Sequence, residues 1–131
     1  MDFGYRKSVL AQNGYILLSA EFAGTPGESG AIREKAEGFM RARRQKQPLE
    51  YPSCGSAFKR PEGHYAGALI EQCGLKGVSV GGAYVSEKHA GFIVNKGGAT
   101  ASDVIALIKL VRDTVYERTG IMLEPEIRVI G

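Results

Sequence analysis

The sequence predicts an α+β domain in which strands and helices alternate along the chain. Residues 15–18 are a run of β-forming types, and residues 19–22 alternate polar with apolar side chains, which together are typical of a strand. Apolar residues between 32 and 40 recur instead at the period of a helix. A capped apolar pattern after Thr100 predicts a longer helix. With the shorter elements between them, these patterns predict the order β-α-α-β-β-α-β, an α+β arrangement.

The first part of the chain is predicted to form a strand, a helix and a long loop. Residues 15–22 are rich in β-forming types, and the glycines and proline of 24–27 end the strand. The next segment places four apolar side chains on one helical face: Ile32, Ala36, Phe39 and Met40. Pro48 ends this helix. Residues 49–63 have no clear period and are predicted to form a loop, and loops of this length are often functional.

Three short elements are predicted next. Residues 66–73 form a short helix that ends at Gly74. Residues 78–85 form a strand that two glycines interrupt, and residues 92–95 form another strand.

The last part of the chain is predicted to form the longer helix and a final strand. Thr100 and Asp103 have the spacing of an N-cap residue and its partner three positions later. Gly120 ends this helix. Residues 122–130 form the last strand, and Pro125 indicates an edge or a bulge there.

The composition is ordinary for one globular domain with its own core. Of the 131 residues, 44% are hydrophobic and 24% are charged. No apolar run approaches the length of a membrane span, and the start lacks the pattern of a secretory signal. We therefore expect a cytoplasmic protein with free thiols at Cys54 and Cys73. His64 and His89 stand alone, so no metal site is predicted.

The net charge is +3, and basic residues concentrate at the end of the first predicted helix: Arg41, Arg43, Arg44 and Lys46. Such a cluster is usually the solvated side of a helix, although it can also meet the phosphates of a nucleic acid or of a nucleotide-sugar. Nucleic-acid binding fits poorly, because few aromatic residues accompany the cluster and the net charge is small.

The predicted loop carries the residues with the clearest chemical potential. Gly55 permits unusual backbone angles or the close approach of a ligand, and Ser56 follows it, with Lys59 and Arg60 nearby. These residue types are equally typical of a structural turn whose serines bond the backbone. The residues alone leave both readings open.

Four segments, spread over the whole chain, carry more specific patterns: residues 3–8 (FGYRKS), 54–61 (CGSAFKRP), 81–95 (GGAYVSEKHAGFIVN) and 123–131 (LEPEIRVIG). In this order they resemble the carboxy-terminal part of the UDP-N-acetylenolpyruvoylglucosamine reductase family. The chain has no room for the tyrosine loop of one branch of that family, so it resembles the shorter branch. The abrupt start before the first predicted strand also favours a piece of a larger protein.

The resemblance implies an oxidoreductase that uses FAD and NADPH. Such an enzyme reduces UDP-N-acetylglucosamine enolpyruvate to UDP-N-acetylmuramate in peptidoglycan precursor synthesis. It also implies that residues 1–25 are the tail of a flavin-binding domain and that residues 26–131 are the third, UDP-sugar-binding domain. The glycine-rich flavin loops are absent from this sequence, so we expect no FAD on this chain alone and no activity. A monomer is expected, with the UDP-sugar as a small-molecule partner and neither nucleic acid nor membrane.

The resemblance also implies roles for single residues. Arg6, Ser56 and Glu126 match the catalytic positions, with Ser56 as the proton donor; Lys46, Lys59, Arg60 and Tyr5 are the substrate-binding candidates. Lys76 is a weaker candidate for the role of Lys46, and Arg60 stands where many members have Asn. A fixed cation such as Arg6 suits the negative charge that develops on the α-carbon and carboxylate of the substrate.

Two alternatives remain open from the sequence. The chain is either the substrate-binding part of this reductase or a stand-alone nucleotide-sugar binding module without catalysis. The sequence of the natural gene upstream, or the mass of the native protein, distinguishes them.

Overall fold

A computed structural model describes residues 3–5 and 7–130 of the chain. The chain divides into two compact units, Met1–Glu34 and Lys35–Gly131. Helix α2, Ser29–Lys46, runs across this division. Among the described helices, none combines the length and the apolar character that crossing a bilayer requires.

In the first unit, the strand predicted at residues 15–22 is wrong. A short helix, α1 (Val9–Gln12), precedes it, and residues 15–22 have no regular structure. Their apolar side chains are exposed: Ile16 by 85%, Leu18 by 92% and Phe22 by 92%. A strand needs a neighbour to take its hydrogen bonds, and no described residue pairs with this segment, so its β-forming composition is not enough.

Helix α2 confirms the first predicted helix, but its apolar face is not buried. The side chain of Glu28 accepts hydrogen bonds from the backbone N–H groups of Gly30 (2.8 Å) and Ala31 (2.6 Å), and these bonds lower the pKa of Glu28. The helix ends before Pro48, as expected, because a proline clashes with a preceding helical turn. No residue of α2 is buried, although Phe39 and Met40 lie on its apolar face.

The second unit contains a four-stranded antiparallel sheet: β1 (Ser53–Ser56), β2 (Ser79–Val80), β3 (Ala83–Val85) and β4 (Phe92–Asn95), in the order β1-β4-β3-β2. Strand β4 confirms its prediction. The predicted strand at 78–85 is instead the hairpin β2–β3, which turns at Gly81 and Gly82. Gly81 has a φ of +52°, and a side chain on Gly82 would lie 2.3 Å from the carbonyl oxygen of Gly97.

Two helices complete the second unit: α4 packs against β2 and β3, and α3 packs against α4. Helix α3 (Ala66–Gln72) ends at Gly74, and helix α4 (Ala101–Thr119) begins at the predicted N-cap, Thr100. Thr100 Oγ1 accepts from the backbone N–H of Asp103, and Asp103 accepts from that of Thr100, which confirms the predicted pairing. The core joins these helices to strands β3 and β4 through buried side chains, among them Ile70, Leu107, Val111, Val115, Val85 and Ile93.

Two further predictions need correction. The predicted loop 49–63 contains β1, which pairs with β4 through an irregular register between Ser53 and Ser56. Its serine, cysteine and glycine are not among the residue types enriched in strands, so the strand depends on its partner and not on its composition. The predicted last strand, 122–130, is reduced to one isolated bridge between Phe58 and Pro125.

Candidate functional site

Ser56 is the last residue of β1, and its side chain is exposed. The residue before it, Gly55, has a φ of +82°, and an added side chain there would meet no atom within 4 Å. Glycine is therefore required at this position for its backbone angle and not for lack of space. The unusual backbone angle expected at Gly55 is confirmed. It sets the direction in which the backbone continues to Ser56.

The bridge between Phe58 and Pro125 joins the Ser56 segment to the end of the chain. Lys59 donates its backbone N–H to the carbonyl oxygen of Glu124 at 2.8 Å, and Glu126 donates to that of Ala57 at 2.9 Å. Glu126 is thereby bonded directly to the residue that follows Ser56. Two of the three catalytic candidates, far apart in the sequence, lie on paired segments.

Each of the two paired segments has one large side chain buried in the core. Phe58 is 4% exposed and Leu123 is fully buried, and both belong to the core. The paired segments are consequently attached to the folded unit by packing as well as by their two hydrogen bonds.

Lys59 lies beside the bridge and has an acidic partner. Its Nζ donates to a carboxylate oxygen of Glu124, whose residue lies directly opposite on the other segment. The side chains of Lys59 and Glu124 are 38% and 68% exposed. The ammonium group of Lys59, a substrate-binding candidate, is thus paired with a carboxylate of the same chain.

Arg60 follows, and its guanidinium carbon lies 4.1 Å from the centre of the Tyr65 ring. It borders an open cleft of about 440 Å³, together with Lys59, Pro61, Glu62, His64, Ile121, Met122 and Glu124. Two cations, two carboxylates and one histidine line this cleft, next to the bridge. A guanidinium in such a lining can bind the negatively charged part of a ligand, whereas the carboxylates of Glu62 and Glu124 oppose it.

Three of the remaining candidates lie among the described residues. Lys46 is the last residue of α2 and is exposed. Lys76, the weaker candidate, donates to Glu71. Tyr5 is 66% exposed and belongs to the first unit. Arg6 lies outside the described residues.

Sequence reasoning missed a second polar group beside the sheet. Lys88 Nζ donates to Glu50 at 3.2 Å. The pKa of Glu50 is lowered by its own backbone N–H and by Lys88. Nearby, Lys96 Nζ lies 4.7 Å from the ring centre of Tyr84 and 5.9 Å from that of Tyr51. These pairs are distant in sequence, so no local pattern signals them.

A metal ion requires a cluster of ligating side chains, and a flavin phosphate requires a helix start that carries no carboxylate. No group of three or more His, Cys, Asp or Glu side chains in the described part could hold a metal ion. A glycine-containing turn leads from β4 into α4, as in many phosphate sites, but the carboxylate of Asp103 already accepts the backbone N–H of Thr100 there. Glu28 caps the start of α2 in the same way. Both helix starts present a carboxylate, so neither fits a flavin phosphate.

Comparison with known proteins gives consistent results. The family model described as "UDP-N-acetylenolpyruvoylglucosamine reductase, C-terminal domain" matches residues 47–130. Over all 131 residues, the chain is 53% identical to the UDP-N-acetylenolpyruvoylglucosamine reductase of Latilactobacillus sakei and 54% identical to that of Lactobacillus johnsonii. It covers 43% and 44% of those two proteins, so it spans less than half of their length.

A solved structure with the same name, from Thermus caldophilus, is similar with a TM-score of 0.63 and 39% sequence identity. The similarity covers 78% of this chain and 35% of that one.

Proposed function

Because the chain belongs to the C-terminal domain family of UDP-N-acetylenolpyruvoylglucosamine reductases, we propose that it is the substrate-binding part of such a reductase. The reaction is the NADPH- and FAD-dependent reduction of UDP-N-acetylglucosamine enolpyruvate to UDP-N-acetylmuramate, a step of peptidoglycan precursor synthesis in the cytoplasm. Residues 26–131 form the UDP-sugar-binding domain, and residues 1–25 form the tail of the flavin-binding domain. The enzyme acts as a monomer, without nucleic acid or membrane.

One observation carries this proposal: the bridge that pairs the Ser56 segment with the Glu126 segment. Each segment contains a motif of the family, and the two hydrogen bonds at the bridge hold them side by side. A reaction that needs a proton donor and a second polar group at one carbon requires such a juxtaposition.

The substrate contains a carbon–carbon double bond conjugated to a carboxylate. Reduction adds a hydride to the terminal carbon and a proton to the α-carbon, with the negative charge delocalised into the carboxylate between the two events. Ser56 donates its hydroxyl proton to the α-carbon and recovers a proton from water, which its exposed position permits. Glu126 orients a neighbouring group of the site from the adjacent segment. Arg6 offsets the charge on the carboxylate.

In the complete reductase, reduced flavin would supply the hydride, and NADPH would reduce the flavin again. A carboxylate accepts backbone N–H groups at the start of both long helices of the described part, which disfavours a flavin phosphate there. We therefore assign the principal flavin contacts to the part of the reductase that lies outside this sequence. The contribution of this chain is to bind the UDP-sugar and to deliver the proton.

Arg60 is the residue of this cleft that suits the diphosphate of the substrate. The Tyr65 ring restricts its guanidinium, and the carboxylates of Glu62 and Glu124 limit the diphosphate to the side of the cleft that Arg60 lines. A planar guanidinium binds phosphate oxygens in two parallel hydrogen bonds, which an asparagine at that position cannot do. Lys46 supplies a further cation from the end of α2.

The test is Ser56→Ala in a complete reductase that contains this sequence, followed by stopped-flow absorbance of the flavin. Reduction of the flavin by NADPH does not use the α-carbon proton, so its rate stays close to wild type. Reoxidation by the enolpyruvyl substrate slows by about 10²–10⁴, the usual effect of removing a positioned general acid. Substrate binding changes little.

Ser79→Ala is the matched control, because Ser79 is an exposed serine in β2, at the opposite edge of the sheet. It leaves both half-reactions unchanged. Equal rates for Ser56→Ala and Ser79→Ala in both half-reactions refute the assignment of Ser56 as the proton donor. A defect in flavin reduction alone shows that this loop does not face the substrate.

A further inference from the structure

The bridge that brings Ser56 and Glu126 together is short. It consists of one residue pair, Phe58 and Pro125, and of two backbone hydrogen bonds. Neither segment continues into a longer ladder beyond it, since residues 126–130 have no regular structure. Two hydrogen bonds alone fix the register of the two segments only weakly, because a shift of one segment along the other breaks no more than these two bonds.

The pattern of the two bonds determines which side chains lie together. The bonds run from Lys59 to Glu124 and from Glu126 to Ala57, so Phe58 and Pro125 form a non-hydrogen-bonded pair. Side chains alternate between the two faces of an extended segment. Lys59, Glu124 and Glu126 therefore share one face of the bridge with the buried side chain of Ala57. The buried side chains of Phe58 and Leu123 lie on the other face, to which the same alternation assigns Ser56.

The ion pair of Lys59 and Glu124 spans the bridge on the face that carries Glu126. It joins two residues that are 65 positions apart in the sequence. A register shift of one residue would move one segment by about 3.3 Å and turn its side chains to the opposite face, which separates this ion pair. The pair therefore opposes any shift that would move Glu126 away from Ser56.

We propose that Lys59 and Glu124 form a positioning pair that holds the segment of Ser56 in register with the segment of Glu126, and that Lys59 is not a substrate ligand. The catalytic part of this proposal rests on the proposed function; the structural part does not. If the pair has a positioning role, replacing either residue has the same effect, because the ion pair needs both charges. A substrate-ligand role makes Lys59 essential and Glu124 dispensable.

The structural test measures amide hydrogen exchange on the 131-residue chain by NMR. In Lys59→Met and in Glu124→Gln, the amides of residues 59 and 126 exchange faster by about two- to fivefold, the ratio expected when an exposed ion pair is lost. The charge-exchanged double variant, Lys59→Glu with Glu124→Lys, returns these two rates toward wild type. Amides of α4 are unaffected in all three.

Lys109→Met is the matched control. It removes another exposed lysine from an ion pair, the one with Asp113 at 2.6 Å within α4. It leaves the exchange of residues 59 and 126 unchanged. Unchanged exchange in the Lys59 and Glu124 single variants shows that packing alone sets the register, which overturns the proposal.

The catalytic test uses the same variants in the complete reductase. Each single variant lowers kcat by about two- to tenfold with little change in KM, because a misplaced proton donor weakens transition-state interactions more than binding. The double variant recovers kcat. If instead Lys59→Met raises KM, Glu124→Gln has no effect and the double variant is not rescued, then Lys59 binds substrate and the proposal is wrong.

These two tests separate the inference from the proposed function. If the complete protein does not reduce the enolpyruvyl substrate, the proposed function fails, but amide exchange still decides whether Lys59 and Glu124 set the register. If the wild-type protein is active and amide exchange is insensitive to the pair, only the inference fails.

Discussion

Leu123 offers the sharpest test of how the end of the chain is held in place. Its side chain is fully buried, and it immediately precedes Glu124 and the bridge at Pro125. Leu123→Ala removes three carbons, which at about 0.8 kcal/mol each gives about 2.4 kcal/mol of lost burial. The remaining cavity adds to this cost, and fully buried Leu→Ala changes cost about 2–5 kcal/mol in total. We therefore expect the free energy of unfolding to fall by about 3 kcal/mol.

Urea unfolding of the 131-residue chain, followed by circular dichroism, measures this loss, and the midpoint moves while the slope stays constant. Leu18→Ala is the matched control, since the same three carbons are removed from a side chain that is 92% exposed. Its effect stays within about 0.5 kcal/mol. A cost below about 1 kcal/mol for Leu123→Ala would falsify the packing described for the end of the chain.

The remaining predictions concern a substrate contact and a helix cap. Lys46→Ala in the complete reductase raises KM more than it lowers kcat, because the cation binds the diphosphate in the ground state and the transition state alike. Lys109→Ala is the control. An unchanged KM in Lys46→Ala assigns Lys46 to the solvated face of its helix. The backbone N–H of Thr100 lowers the pKa of Asp103 in the folded state. The stabilisation by Asp103 is therefore present above the ordinary pKa near 3.8 and is lost as pH falls through the lowered folded-state value. Asp103→Asn removes this contribution, so the free energy of unfolding of the variant falls less steeply with decreasing pH than that of wild type. Urea midpoints measured from pH 6 to pH 2 test this. The same dependence of the midpoint on pH in both proteins contradicts the prediction.

Local sequence signals predicted the helices well, because the causes of helix boundaries are themselves local. The Thr100 cap, the end of α3 at Gly74 and the end of α2 before Pro48 each depend on residues a few positions apart. Strands behaved differently. The segment 15–22 has the composition of a strand but no described partner, whereas β1 has a poor composition and a good partner in β4. Pairing between distant segments decided both cases, and composition does not reveal it.

The motifs predict that Ser56 and Glu126 belong to one site, but they do not show how the two segments meet. Pro125 was interpreted as the sign of an edge or bulge, because proline lacks the N–H that a sheet ladder uses. In the structure Pro125 occupies the non-hydrogen-bonded position opposite Phe58, where no N–H is needed. Its neighbours supply both bonds, through the N–H of Glu126 and the carbonyl of Glu124.

This position also explains why the pairing stays short and yet well defined. Proline fixes its own φ and restricts the residue before it, so both Glu124 and Pro125 lose backbone freedom before the bridge forms. Less conformational entropy is then lost when Glu126 is placed beside the Ser56 segment. The extended segment 124–126 is anchored by buried Leu123 on one face and by the Lys59–Glu124 ion pair on the other, so the backbone of Glu126 stays bonded to Ala57 without a regular strand.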